Sequence, residues 1–423
     1  MRTTKHHNNM TPPPSNEPAA ELVRLRSAAA VRERCEMVYR FVAEGRSQNF
    51  SVDERRLPAV AEYVAKVTRE TYPDLKIPYH SRWRHFDAGG VNRWEELVGS
   101  MRGDVLERAR AAVDLVTVSV LLDAGAGTAW RYREMRTGAS FTRSEGLAIA
   151  SLDMFRAGGF SSDMEQPWRV DAIALMQMDT ATLARHFQVE KDNPLLGLEG
   201  RTTLLRRLGV ALAADANLFG RAPARPGHLL DCFMKLAANR HIRAGRVLAA
   251  VLDGLASIWP SGLDLDGFVI GDAGRHRAAR TDDASDGIVP FHKLSQWLTY
   301  SLLEPLMAVG LMVDDIHELT ALAEYRNGGL LVDLEAIVPR SGFDPQREYA
   351  VDSEMVVEWR ALTVALMDRL IDFVRAQLGM DATFTLPQML QGGTWTAGRK
   401  IARELRPLDG ASPIRVAADG TVF

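Results

Sequence analysis

GIVPFHKLSQWLTYSLLEP, residues 287–305, places His292, Lys293 and Gln296 in a helical segment that is otherwise apolar and rich in aromatic residues. Buried without partners, each neutral polar group there would cost roughly 1–3 kcal/mol, and the lysine more. The segment is therefore expected to border a polar cavity. Outward from it, helical patterns dominate from Ala19 onward. Leu57, Val60, Tyr63 and Val64 share one helical face. That helix begins either at a Ser51/Glu54 capping box or with Pro58 as its first residue. The same spacing recurs at Leu204, Leu205 and Leu208, at Leu230, Phe233 and Leu236, at Val247, Leu248 and Val251, and at Leu366, Leu370, Phe373 and Val374, which are expected core positions.

Residues 263–290 break the pattern with short β-prone pieces among Gly, Asp and Arg and predict a mobile loop or small hairpin, of which residues 265–290 are expected to form a flap over the pocket. Near the C-terminus an Asp419–Gly420 turn between two apolar runs predicts a β-hairpin. Residues 1–20 read as a disordered leader. The expected fold is thus mainly α, a single large helical domain over residues 21–423 with a small β-hairpin near its end.

The chain has 423 residues, 46% hydrophobic and 25% charged, with a formal net charge of -3. This is enough material for a large core. There is no basic excess to hold a nucleic acid backbone, so small molecules are the expected ligands. Cys35 and Cys232 are the only cysteines; they form no C-x-x-C pair, which fits a reducing cytoplasm better than a disulfide scaffold or zinc cluster. No apolar run reaches the roughly 18 residues of a membrane span. Zinc-protease, P-loop and nucleophile-elbow motifs are absent. No metal or cofactor is expected, and the sequence does not indicate an oligomeric state.

Asp123, Gly125 and Gly127, preceded by β-branched residues, imitate the loop of a methyltransferase that binds S-adenosylmethionine. The second strand with its acidic end does not follow. Among the histidines, only His80, His85 and His292 stand in aromatic and charged company.

Three acidic clusters fall in the second half: Asp264 with Asp266, Glu324 with Arg326, and Glu354 with Glu358 and Arg360. Trp259, Phe268, Tyr325 and Trp359 flank them. Aromatic walls beside carboxylates suit a ribosyl compound, since rings pack on the sugar while a carboxylate opposes positive charge at C1'.

On PFHKLSQWLTYSLLEPL, EYRNGGLLVD, GGTWTAGRKIA and SPIRVAADGTVF, the chain resembles the uracil catabolism protein 4 family, also called the uracil-regulated protein 3 family. That resemblance implies a pathway in which uracil is ribosylated, the ring is opened and urea is released. More distantly, the order of blocks is similar to the queuosine salvage nucleosidase, an all-helical protein akin to helix-hairpin-helix DNA glycosylases. This second resemblance carries over Asp123, Trp130, Pro260, Asp264, Phe291, Lys293, Gln296, Tyr325, Arg326, Glu358 and Arg360, with Glu324 in place of an aspartate. Ala126 and Ser301 depart from that pattern, which points to a changed base end.

Together these features lead to the expectation of an N-ribosyl hydrolase that cleaves ribosylurea or its 5'-phosphate. Asp264 would oppose the developing charge or orient water, and His292 or Glu324 would donate the proton. Asp123 would bind a ribose hydroxyl or urea N–H. Lys293, Arg326 and Arg360 would hold phosphate or pair with acids, with Trp130, Trp259, Asp266, Gln296, Tyr325 and Glu358 completing the binding set. The alternatives are a protein that holds a ribosyl intermediate without turning it over, and the methyltransferase.

Overall fold

The computed structural model describes residues 20–259 and 263–417. The fold is mainly α, and among the described residues the strands form only two-stranded pairs. The segment quoted above becomes the central helix, Lys293–Ala308, buried along nearly its whole length. It packs against Val105–Leu121 and Ala244–Leu255 inside one hydrophobic cluster. A second cluster forms around the long helix Glu354–Leu378, which lies on Ala28–Ala43 and Leu57–Thr71.

Local chemistry sets the helix starts. Ser27 caps Ala28–Ala43 by accepting from the amide of Ala30 at 3.1 Å, and Ser353 caps the long helix. Leu57–Thr71 starts with Pro58 in its first turn, where a missing N–H costs nothing. Ser51 instead lies in the strand Phe50–Val52, which pairs antiparallel with Ile337–Pro339. Most of the expected core stripe is buried, and Tyr63 is half-buried. Leu236 and Phe373 are not, at 50% and 40% exposure. Leu236 is the last residue of its helix, and Phe373 sits at the edge of the stripe that Leu366, Leu370 and Val374 draw at intervals of four.

Residues 264–290 fold into two short antiparallel pairs, Asp264–Leu265 with Phe268–Val269 and Ala273–Arg275 with Ile288–Pro290. The second lies so close to the long helix that a Cβ on Gly274 would sit 2.4 Å from Val357 Cγ2. The segment is a strut under the central helix and contributes no wall to the pocket described below. The β-branched residues before Asp123 are inside the helix Val105–Leu121, so the strand required for a methyltransferase loop is missing. The Asp419–Gly420 turn lies outside the described residues; before it, Arg415–Ala417 pairs in parallel with Glu348–Ala350. No helix among the described residues is long and apolar enough to cross a membrane.

Candidate active site

Where the two clusters meet, a pocket of ≈ 280 Å³ opens. Its floor is the start of the central helix. Lys293 and Trp297 are one helical turn apart on the same face, and both line the pocket. The lysine is held in place from beneath. His292 precedes the helix in the left-handed region, φ 49°, and its side chain does not cap it. Asp272 does so from the neighbouring strut: its carboxylate accepts from the amide of Lys293 at 3.0 Å, and its carbonyl accepts from the amides of Phe291 and His292. That carboxylate is in turn gripped by Arg360 of the long helix at 2.9 and 2.7 Å.

Pro305 anchors the opposite wall. Within the central helix it has no N–H to donate to the carbonyl of Ser301. Trp83 Nε1 donates to that carbonyl instead, at 2.8 Å, while Ser301 Oγ accepts from the amide of Arg82 at 3.0 Å. The segment carrying His80, Arg82 and His85 is thereby fixed to the helix. The Arg82 guanidinium reaches the carboxylate of Asp123 at 3.0 Å and lies 5.5 Å over the Trp297 ring. The loop around Asp123 is pinned from behind by buried Arg201, which donates to the carbonyls of Leu122, Ala124 and Gly125.

Glu324 caps the helix Tyr325–Asp333, accepting from the amides of Arg326 at 2.9 Å and Asn327 at 2.6 Å. Arg326 lies 4.9 Å over the Tyr325 ring and 5.6 Å over Trp395. Trp395 follows a π-helical turn, Leu390–Thr394, in which Gly392 and Gly393 press against the helix Leu57–Thr71. Three residues further on, a Cβ on Gly398 would be 2.4 Å from the carbonyl of Arg326. Only glycine permits that approach, so GGTWTAG brings Trp395 and Arg326 together.

Charge is tuned by burial. Burial draws the Lys293 ammonium down to about 8, with the Arg360 charge adding to the effect and Asp272, Glu324 and Asp123 opposing it. Burial pushes the Glu324 carboxyl upward, against the two amides it caps and the charges of Arg326 and Lys293. His80 falls to about 4 through burial. His85 falls to about 3, through burial and then through the adjacent Arg82 charge. The pocket therefore offers cations, carboxylates and neutral imidazoles between aromatic walls.

Of the residues expected from sequence, Asp123, Lys293, Glu324, Tyr325 and Arg326 line this pocket. The others do not. Asp264 is exposed on the first hairpin, its carboxylate accepting from the amide of Gly267 at 3.2 Å, and Asp266 occupies the turn with φ 52°. His292 is fully buried, its Nε2 bonded to the carbonyl of Leu25 at 2.9 Å. Gln296 clamps Thr320 through both ends of its amide. Trp130 and Trp259 are core residues, and Trp130 Nε1 donates to the carbonyl of Phe187 at 2.9 Å. Glu358 is buried against Ser47 and His276, and Arg360 belongs to Asp272. Pro260 lies outside the described residues.

Sequence reading missed Arg82, Trp297, Trp395, Arg143 and Asp272 and gave His80 and His85 no role. Trp297 could have been found as the residue one turn after Lys293, and Trp395 from the glycine pair before it. Arg82 and Asp272 reach their partners only through tertiary packing, with no signal in local spacing. Among the described residues, no three His, Cys, Asp or Glu side chains gather as a metal would require.

Residues 24–423 match the family model described as "Protein of unknown function (DUF1688)". The chain is 38% identical over 418 residues to Protein urg3 of Schizosaccharomyces pombe, covering 97% of this chain and 100% of that one. It is 35% identical over 433 residues to Uracil catabolism protein 4 of Lachancea kluyveri, covering 94% of this chain and 98% of the relative. The chain belongs to this family.

Proposed function

We propose that this member of the DUF1688 family is an N-ribosyl hydrolase that acts in uracil catabolism on ribosylurea or its 5'-phosphate and releases urea. The relative named for uracil catabolism supports the pathway. The observation that carries the chemistry is the joint presence of Asp123, Glu324 and Lys293 in one aromatic-walled pocket.

Breaking the C1'–N bond leaves positive charge on the sugar. Asp123, steadied by Arg82, opposes that charge and takes the proton of the water whose oxygen bonds to C1'. The urea nitrogen leaves with the bonding pair and needs a proton. Glu324 supplies it, since its raised pKa keeps a proton available nearer neutrality than an ordinary carboxyl would. Solvent then returns the proton from Asp123 to Glu324. Trp297, Tyr325 and Trp395 pack the sugar and exclude water. Lys293, with Arg326, holds the 5'-phosphate. Arg143, which also lines the pocket, adds positive charge at that end.

Incubation of the purified protein with ribosylurea and ribosylurea 5'-phosphate should release urea together with an equal amount of ribose or ribose 5-phosphate, respectively. Tight binding of both compounds without release would instead favour a protein that only holds the intermediate.

A further inference from the structure

His80 and His85 take no part in the reaction just described, yet both line the pocket, and both rings contact the same two tryptophans. Their centroids are 6.0 and 5.8 Å from Trp297 and 5.8 and 5.7 Å from Trp395. Each has its Nδ1 edge tied to the protein. His85 Nδ1 is 3.2 Å from Arg82 Nη1. A guanidinium only donates, so this nitrogen is bare and the ring proton is on Nε2. His80 Nδ1 is 3.0 Å from Gln391 Oε1, and the Gln391 amide nitrogen donates to Tyr72 Oη at 3.0 Å. An amide oxygen only accepts, so His80 carries its proton on Nδ1 and leaves Nε2 bare. The two rings thus offer the pocket opposite atoms, an N–H from His85 and a lone pair from His80.

We propose that His80 and His85 are specificity-determining residues that read the adjacent N–H and C=O of a ureide, His85 Nε2 donating to the carbonyl and His80 Nε2 accepting from the N–H. The choice of an open ureide rests on the proposed hydrolysis. A closed pyrimidine presents a similar edge, so the two sources must be separated by experiment. Guanidinium has only donors and would set an N–H against that of His85. Neutrality is part of the device: a protonated His80 would lose its acceptor, and burial keeps both rings uncharged at neutral pH.

Nitrogen-15 NMR of the histidine rings in the full chain at pH 6.5 tests this. The expected result is two neutral rings of opposite tautomer. N-methylurea, added below denaturing concentration, should move both Nε2 resonances along one saturating curve. Uracil should do so at least about tenfold more weakly, and guanidinium not at all; a residue built to pair with a group is left unsatisfied without it. His85→Phe should lower the affinity for N-methylurea about tenfold or more, on the order of one hydrogen bond. Matching tautomers, a charged ring, no shift with N-methylurea, or preference for uracil would overturn the proposal. Shifts without any cleavage of ribosylurea would uphold the pair and sink the hydrolase reading; cleavage without shifts would do the reverse.

Discussion

Asp272 and Arg360 form a buried two-bonded ion pair, 2.9 and 2.7 Å, that joins the strut of residues 264–290 to the long helix. The same carboxylate receives the first amide of the central helix, so this pair fixes the height at which Lys293 enters the pocket. Asp272→Asn leaves the guanidinium buried without a counter-charge. The expected loss is about 3–5 kcal/mol of unfolding free energy, measured by urea or guanidinium titration. A change below about 1 kcal/mol would mean that water reaches the pair.

Lys293 supplies a pH dependence of definite sign. Its ammonium is charged below about 8 and neutral above. The preference for ribosylurea 5'-phosphate over ribosylurea, expected at about 100-fold for charged hydrogen bonds, should decline as pH rises through that value. Lys293→Met should remove most of the preference at neutral pH. Because the folded pKa lies below the ordinary lysine value of 10.5, the unfolded chain binds more protons between about 8 and 10.5, and this group makes stability rise with pH across that window. Equal kcat/KM for the two substrates at pH 7 would assign Lys293 to internal pairing alone.

Asp264 separates the reading of the sequence from that of the structure. It is exposed on a hairpin and absent from the pocket walls. Asp264→Asn should therefore keep urea release within about twofold of the parent protein, as expected for a surface position. A loss of tenfold or more in kcat/KM would return Asp264 to the site.

Gly398→Ala tests how Trp395 is placed. The added methyl would meet the carbonyl of Arg326 at 2.4 Å, and such overpacking costs about 1–3 kcal/mol. Since it moves a wall and not a reacting group, KM should rise more than kcat falls. Unchanged stability and KM would show that the helices Tyr325–Asp333 and Trp395–Leu405 separate freely.

Legibility in the sequence followed the range of the interactions. The mainly α fold could be read because helical periodicity is local: the stripe of Leu57, Val60 and Val64 and that of Leu366, Leu370 and Val374 are both buried. Lys293, Glu324, Tyr325 and Arg326 were found through their motifs and do line one pocket. His292 and Gln296 come from the same motif as Lys293, and Glu358 and Arg360 from the acidic cluster beside Glu354; Gln296, Glu358, Arg360 and His292 Nε2 all find their partners inside the protein. A motif marks a buried polar group without saying whether its partner is a ligand or another residue. Asp272 was hidden for the converse reason, since the pairing of Ala273–Arg275 with Ile288–Pro290 carries it to the central helix from 21 positions away.

Cleavage of an N-ribosyl bond in the Asp123 pocket is tested by the rate of urea release from ribosylurea 5'-phosphate by the parent protein and by Asp123→Asn. Steady release by the parent is expected, and a loss of about 10²–10³ in kcat/KM on removing the charge, read on the folded variant. No release by the folded parent protein, or equal release by both, would contradict it.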